Sequence, residues 1–306
     1  MASRRKRSRA LYYAGVGLLI ALAIAAALLP FGGEGWQAAY RRLGLAAVPP
    51  EGANVTFLDV GQGAAACLSD GERICLIDCG GPESGVLVAD GVRALGGREI
   101  DLLLITHPHS DHIGGLPTLL EQLPVKRVAM ADWVPDSRED ADALQALETA
   151  CRRAGCERLP LREGDTFTVA GFTVRAVFAR DAEQENDRSV AFLASAEGRR
   201  VLLTGDMTAQ AERRMIAAGV DLRCDLLAVG HHGSSGATCE ELLEAARPSL
   251  AVVSCGADNP YGHPAEPTLD RLRAAGVRWL RTDLNGTVRI RLSDMAVFAE
   301  RPPAGE

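Results

Sequence analysis

Short apolar runs alternate with polar breaks along the chain, and their spacing predicts its elements. Residues 55–59 read as a strand and Gly61-Gln62-Gly63 as a tight turn that needs glycine's backbone freedom. Residues 64–68 and 74–78 read as two strands joined through Asp70-Gly71, a strong hairpin signal. Residues 85–95 are helical and end at Gly96-Gly97. The run 100–105 is apolar except at Asp101, as a buried strand would be. A short helix over 116–123 and a strand over 125–129 follow. Ser137 with Asp140 resembles a capping box, ahead of a helical stripe of Leu144, Leu147, Cys151 and Ala154. Residues 167–169 and 172–174 form one hairpin, and 190–194 and 200–204 another. Beyond them helices starting at Ala209, Cys239 and Pro267 alternate with strands at 225–229, 250–254 and 278–281. Strand runs that give way to strand–helix alternation predict an α/β fold of two sheets packed together with helices outside.

The amino-terminal segment has a different pattern. Arg4, Arg5, Lys6, Arg7 and Arg9 precede an uncharged apolar stretch, and residues 10–29 as a helix reach about 30 Å, the thickness of a bilayer core. The segment reads as a basic cytoplasmic tail (1–9), a transmembrane anchor (10–30) and a polar linker (31–53) before a globular body over 54–306. Cations ahead of the span place that body outside the cytoplasm. A cleaved signal peptide is the alternative, since Ala23-Ile24-Ala25 offers small residues.

Composition narrows the chemistry. Five of the 33 basic residues lie in the first nine positions, so a net charge of −7 for the chain becomes −12 for the remainder. An acidic body is a poor non-specific trap for nucleic acid. The eight cysteines have no zinc-finger spacing; Cys67, Cys75 and Cys255 fall in apolar runs as core residues, and Cys151 with Cys156 offers one candidate bridge.

Thr106-His107-Pro108-His109-Ser110-Asp111-His112 brings three imidazoles and a carboxylate to the end of a strand, where α/β sheets place their chemistry. Alternating His107 and His109 can face one divalent ion, and Asp111 with His112 a second. Zinc suits this donor set, with manganese or iron as alternatives. All six histidines of the chain stand within two residues of a glycine or proline in loop-like contexts: these three, His231, His232 and His263. Asp206 sits at a strand tip in Thr204-Gly205-Asp206, where a carboxylate can bridge two ions or cap a helix. His231-His232-Gly233-Ser234-Ser235 follows another strand, so one histidine can ligate while its neighbour faces substrate. His263, between Gly262 and Pro264, reads as a proton donor or phosphate contact. Asn186, Ser189, Ser234, Ser235 and Arg281 are further candidate substrate contacts, and the polar loops around Asn186 and after Arg281 read equally as turns.

These blocks resemble the metallo-β-lactamase superfamily, and residues 54–291 resemble the extracytoplasmic domain of ComEC competence proteins. The matching stretches are Phe57-Leu58-Asp59-Val60-Gly61-Gln62-Gly63, Leu76-Ile77-Asp78-Cys79-Gly80, the 106–115 loop, 202–206, 229–234, 261–264 and Arg281-Thr282-Asp283-Leu284-Asn285-Gly286. The resemblance implies an αββα sandwich holding two divalent metal ions, one on His107 and His109, the other on Asp111, His112 and His231 or His232, bridged by Asp206. It implies metal-assisted hydrolysis in which Asp111 orients the water and His232 or His263 steadies the leaving side. A phosphodiester, single-stranded DNA included, is the expected substrate; a cell-wall phosphodiester or lactone hydrolase and a non-catalytic DNA-uptake module are the alternatives. Two departures stand out. No histidine lies between His112 and His231, where Asn186 occupies the family's third motif, and Ala64 follows Gly-Gln-Gly where the family usually has Asp.

Overall fold

The computed structural model describes residues 51–135, 137–178 and 186–301. The first half of the chain lays down one sheet from β1 (Asn54–Phe57), β2 (Ala66–Ser69), β3 (Ile74–Ile77), β4 (Leu102–Leu104), β5 (Arg127–Met130) and β6 (Glu157–Pro160). The second half builds another from β7 (Thr166–Val169), β8 (Phe172–Phe178), β9 (Val190–Ala196), β10 (Arg199–Leu203), β11 (Leu226–Ala228), β12 (Leu250–Val253) and β13 (Arg278–Arg281). Strands β14 (Val288–Arg291) and β15 (Ala296–Ala299) then return to the first sheet and pair against β1. The sheets run β15-β14-β1-β2-β3-β4-β5-β6 and β13-β12-β11-β10-β9-β8-β7. In each, hairpin-linked antiparallel strands continue into parallel ones from β3 or from β10 onward.

Period-two alternation sets the layers. Val201 and Leu203 join Val55, Phe57, Leu68, Phe172 and Phe192 in the apolar layer between the sheets. Leu202, one position out of phase, belongs instead to a second apolar cluster with Met215 and Leu242. Helices α1 (Gly85–Ala94), α2 (Ser110–Ile113), α3 (Leu116–Gln122) and α4 (Arg138–Ala154) belong to the first half. Val88, Val92, Leu119 and Leu147 of this set cover the outer face of the first sheet. Helices α5 (Ala209–Ala217), α6 (Glu240–Ala246) and α7 (Glu266–Ala274) cover the second sheet through Ala211, Leu243 and Leu272, and α8 (Thr282–Asn285) follows β13. The two packed sheets with helices outside that the pattern predicts, and the αββα sandwich that the resemblance implies, are the fold observed.

Ser137 caps α4 by accepting from the Asp140 backbone N–H, as the sequence anticipates, and Gly155 closes that helix at φ 74°. Cys67, Cys75 and Cys255 are buried in the core, while Cys151 and Cys156 stand as free thiols rather than a bridge. Among the described residues no helix is long and apolar enough to cross a membrane. The expected tail, anchor and linker up to residue 50 lie outside the described residues.

Candidate metal centre

The chemistry gathers where β3, β4, β10 and β11 end. After β4 the chain turns through Thr106 and His107, and His109 opens α2, its carbonyl accepting from the backbone N–H groups of His112 and Ile113. The stretch from Ser110 to Ile113 is thus one helical turn rather than an irregular loop, and it carries Asp111 and His112 inward. Cys79 anchors this turn, its N–H donating to the His112 carbonyl at 2.8 Å with its buried Sγ against the same oxygen. Gly63, at φ 141°, allows the Asp111 carbonyl to come close; a Cβ there would lie 2.5 Å from that oxygen. Ala64, where the family usually has Asp, contributes its backbone N–H to the same carbonyl at 3.3 Å.

Two groups of ligand atoms result. Nitrogens of His107 and His109 lie with an Asp206 oxygen in one, and Asp111, His112 and His232 form the other. His107 Nε2 is 3.0 Å from His109 Nδ1 and 3.8 Å from Asp206 Oδ2. Asp206 Oδ1 lies 3.2 Å from His112 Nε2 and Oδ2 3.6 Å from His232 Nε2, so this carboxylate touches both groups. His232 Nε2 is 3.1 Å from Asp111 Oδ2.

The outer nitrogens decide what the inner ones can do. His112 Nδ1 is 2.7 Å from Asp78 Oδ2, and His232 Nδ1 is 2.9 Å from the Ser254 carbonyl. Both partners only accept, so both histidines donate there and turn Nε2 lone pairs inward. His107 Nδ1 sits 3.0 Å from Thr106 Oγ1, whose own proton goes to Asp78 Oδ2 at 2.7 Å, and His107 is fixed in the same way. His112 Nε2 and His232 Nε2 then face each other at 3.3 Å. Two lone pairs at that distance repel unless a cation or a proton lies between them. Imidazole nitrogens and carboxylate oxygens in two sets of three match the donor preferences of divalent zinc, manganese or iron. The residues fit a pair of such ions.

Electrostatics agree. Burial works against a charged Asp206, but His232 and His112 outweigh it and hold the carboxyl well below its usual range. Burial also disfavours charge on His112, yet Asp206 and Asp78 hold it well above the ordinary imidazole value. His107 is pushed well below that value by burial, then by His112, and is neutral. The carboxylates thus recruit positive charge at the centre of the group.

Tight turns hold the second-half ligands. Gly205 takes φ 57° between Thr106 and Ser189, delivering Asp206 beyond β10. His231 and His232 both adopt left-handed backbone, φ 51° and 54°, a costly pair for residues with a Cβ. The strain parts the rings: His232 joins the buried group, while His231 Nε2 reaches Asp206 Oδ2 at 3.6 Å and its ring faces His263 at 5.8 Å. From behind, buried Glu212 of α5 accepts from the backbone N–H groups of Thr238 and Cys239 at 2.7 and 2.8 Å. Arg271 of α7 donates to the carbonyls of Ser235, Ala237 and Thr238, completing the brace on this loop.

A cleft of about 290 Å³ opens over the centre, lined among others by Gln62, His109, Asp111, Asp206, His231, Tyr261 and His263. Of the expected substrate contacts, His263 alone borders it. Ser189 is wholly buried behind Gly205, and its Oγ and Asn186 Oδ1 find no hydrogen-bond partner among the described residues. Ser235 is exposed on another depression with Arg213 and Glu241, and Ser234 Oγ accepts from Gly236 N–H within its own turn. Arg281 is held by Asp283 in a two-pronged ion pair, outside the cleft lining. These five, expected as substrate contacts, are not among the residues that line the cleft. Conversely, sequence reasoning assigned no role to Asp78, which accepts from Thr106 N–H at 2.8 Å, from its hydroxyl, and from His112. Its signal was the acidic end of an apolar strand, the same signal that singled out Asp206.

The chain is similar to known proteins. The chain is 32% identical over 213 residues to ComE operon protein 3 of Bacillus subtilis (strain 168), covering 69% of this chain and 27% of that protein. It is 30% identical over 263 residues to competence protein ComA of Neisseria gonorrhoeae, 83% of this chain and 34% of that one. The chain therefore spans about a third, or less, of the length of these relatives. Among solved structures, the metallo-beta-lactamase fold protein YhfI from Bacillus subtilis superposes with a TM-score of 0.51 at 13% identity, covering 75% of this chain and 96% of that chain, a likeness of fold. The resemblance to competence proteins stands. Residues 58–257, which span both groups of ligands, match the metallo-beta-lactamase superfamily, and the chain belongs to it.

Proposed function

We propose that this chain is a metal-dependent phosphodiesterase that cuts DNA, held outside the cytoplasm by its amino-terminal segment. The observation that carries the reading is the pairing of His107, His109 and Asp206 with Asp111, His112 and His232 around one shared carboxylate beneath an open cleft. The competence names of its relatives direct that chemistry toward DNA. When bound, two divalent ions supply a water of lowered pKa and neutralise charge on the phosphoryl oxygens.

The chain's own groups do the rest. Asp111 is the least buried carboxylate of the two groups and borders the cleft, where it can orient the attacking water. His112 and His232 outweigh its burial and hold its carboxyl below the usual range, so it accepts a hydrogen bond more readily than a proton. His231 and His263 line the same cleft and are both lowered by burial, and as neutral imidazoles they can donate N–H to a phosphoryl oxygen or the leaving group.

The test is cleavage by the metal-stripped chain resupplied with zinc or manganese, on single-stranded DNA, a teichoic-acid-type phosphodiester and a lactone. Chelator-sensitive cleavage of DNA alone is expected. Cleavage of only one of the others moves the reading to that substrate. No cleavage with any metal leaves a DNA-binding module, a reading that the absence of a third histidine in the first ligand group favours.

A further inference from the structure

Tyr261 is the one aromatic side chain among the large exposed hydrophobics of the described residues, 67% exposed on the lip of the metal cleft. Its ring stacks on His263 at 5.7 Å between centroids and 26° between planes, and His263 in turn faces His231. A file of rings therefore runs from solvent to the edge of the ligand group. The loop that presents them is held by a side chain that belongs to neither. Asn259 accepts from the Tyr261 and His263 backbone N–H groups at 3.2 and 3.0 Å and donates to the carbonyls of Gly256 and His263. An exposed aromatic ring on so braced a loop is already ordered, and little entropy is lost when something stacks on it. His263 Nδ1 is buried beside it without a hydrogen-bond partner.

The cleft lining supplies the other half of the argument. Among the described residues it contains no lysine or arginine, and Glu139 and Asp140 form part of its wall. A polyanionic strand cannot be held there by neutralising its phosphates along the groove, which is how most nucleic-acid clefts work. What remains is a flat π-face next to the metal centre.

We propose that Tyr261 is a stacking platform for a nucleobase adjoining the scissile phosphate, so that the site takes a strand with unstacked bases. The inference rests on the DNA phosphodiesterase reading. A duplex, whose bases are already stacked, offers the ring no face. Affinity then depends on the base and only weakly on salt, the reverse of a cationic groove.

The test compares binding of the full chain, by fluorescence anisotropy in calcium to suppress turnover, to an oligothymidylate and to an abasic oligomer of equal length. The wild-type chain should prefer the base-bearing strand by about 5- to 150-fold, the range for one base on one aromatic ring. Tyr261→Ala should bring that strand down to the abasic level and leave the abasic affinity unchanged, while Tyr261→Phe keeps the preference. The ring is exposed, so both variants should melt with the wild-type chain. If wild type binds both strands alike, or Tyr261→Ala keeps the preference, the platform is refuted and the phosphodiesterase reading stands. If wild type neither binds nor cuts either strand, the phosphodiesterase reading falls and this inference with it.

Discussion

Replacing Asp78 with asparagine isolates the tuning of the metal centre from its ligands. Asp78 is buried, belongs to neither ligand group, and sits at φ 57°, a backbone that asparagine tolerates better than most residues. Asparagine keeps Oδ1 for the Thr106 backbone N–H, now 2.8 Å away. In place of Oδ2, however, stands an amide that can only donate. One of its hydrogens can satisfy Thr106 Oγ1; the other meets His112 Nδ1, which lies 2.7 Å from Oδ2 in the native side chain. His112 must then carry its proton on Nε2, the atom that faces Asp206 and His232. Loss of a carboxylate that orients a histidine ligand costs ~10–100-fold in metal affinity. The metal-free fold should lose about one charge-assisted hydrogen bond, ~1.5–3 kcal/mol. Asp78→Ala should be worse for folding, because the Thr106 N–H and His112 Nδ1–H are both left buried and unpaired, at ~1–3 kcal/mol each. Chelator-competition titration with zinc and with manganese measures affinity and stoichiometry together, and thermal melting of the stripped chain measures the fold. Should Asp78→Asn bind the same number of ions as tightly as wild type, the tautomer argument is wrong.

His231 and His232 are adjacent in sequence but not equivalent. His232→Ala should lose the ion held by Asp111, His112 and His232, whereas His231→Ala should keep the metal content and lose about 10²–10³ in turnover, the usual cost of one transition-state donor. Equal metal loss in both variants would show that the left-handed turn does not part their roles. Protons and metal also compete for the same nitrogens. Burial disfavours the charged forms of His112 and His232, yet Asp206 chiefly holds both above the ordinary value of 6.5, so metal binding must expel those protons. Affinity should therefore keep climbing as the pH rises past 6.5, and a titration that is flat above that value would refute it.

Much of this architecture could be read from the chain alone, because strands with one buried face and helices with apolar stripes betray themselves by period. Two of the strands that escaped had no such period. β6 is a mostly exposed edge strand ending in Pro160, and all four residues of β15 are half-buried, so neither shows a core face. The ligands were legible because histidine was spent nowhere else. The substrate contacts were not, because exposure and direction belong to the fold. Arg281 looked like a free cation until the fold closed it on Asp283, two residues away. Ser189 looked like a loop hydroxyl until Gly205 packed over it. The choice between His231 and His232 turned on two positive φ angles that no hydropathy pattern records.

Asp206 and His232 come from the second sheet's side of the molecule, and His107, His109, Asp111 and His112 from the first, so an ion held between them would rivet together two halves that otherwise meet largely through apolar side chains. Resistance to heat and to proteases then follows the free metal concentration of the surroundings, gaining ~4 kcal/mol at a thousandfold excess over the dissociation constant. Metal scarcity would thus shorten the lifetime of the protein as well as silence it.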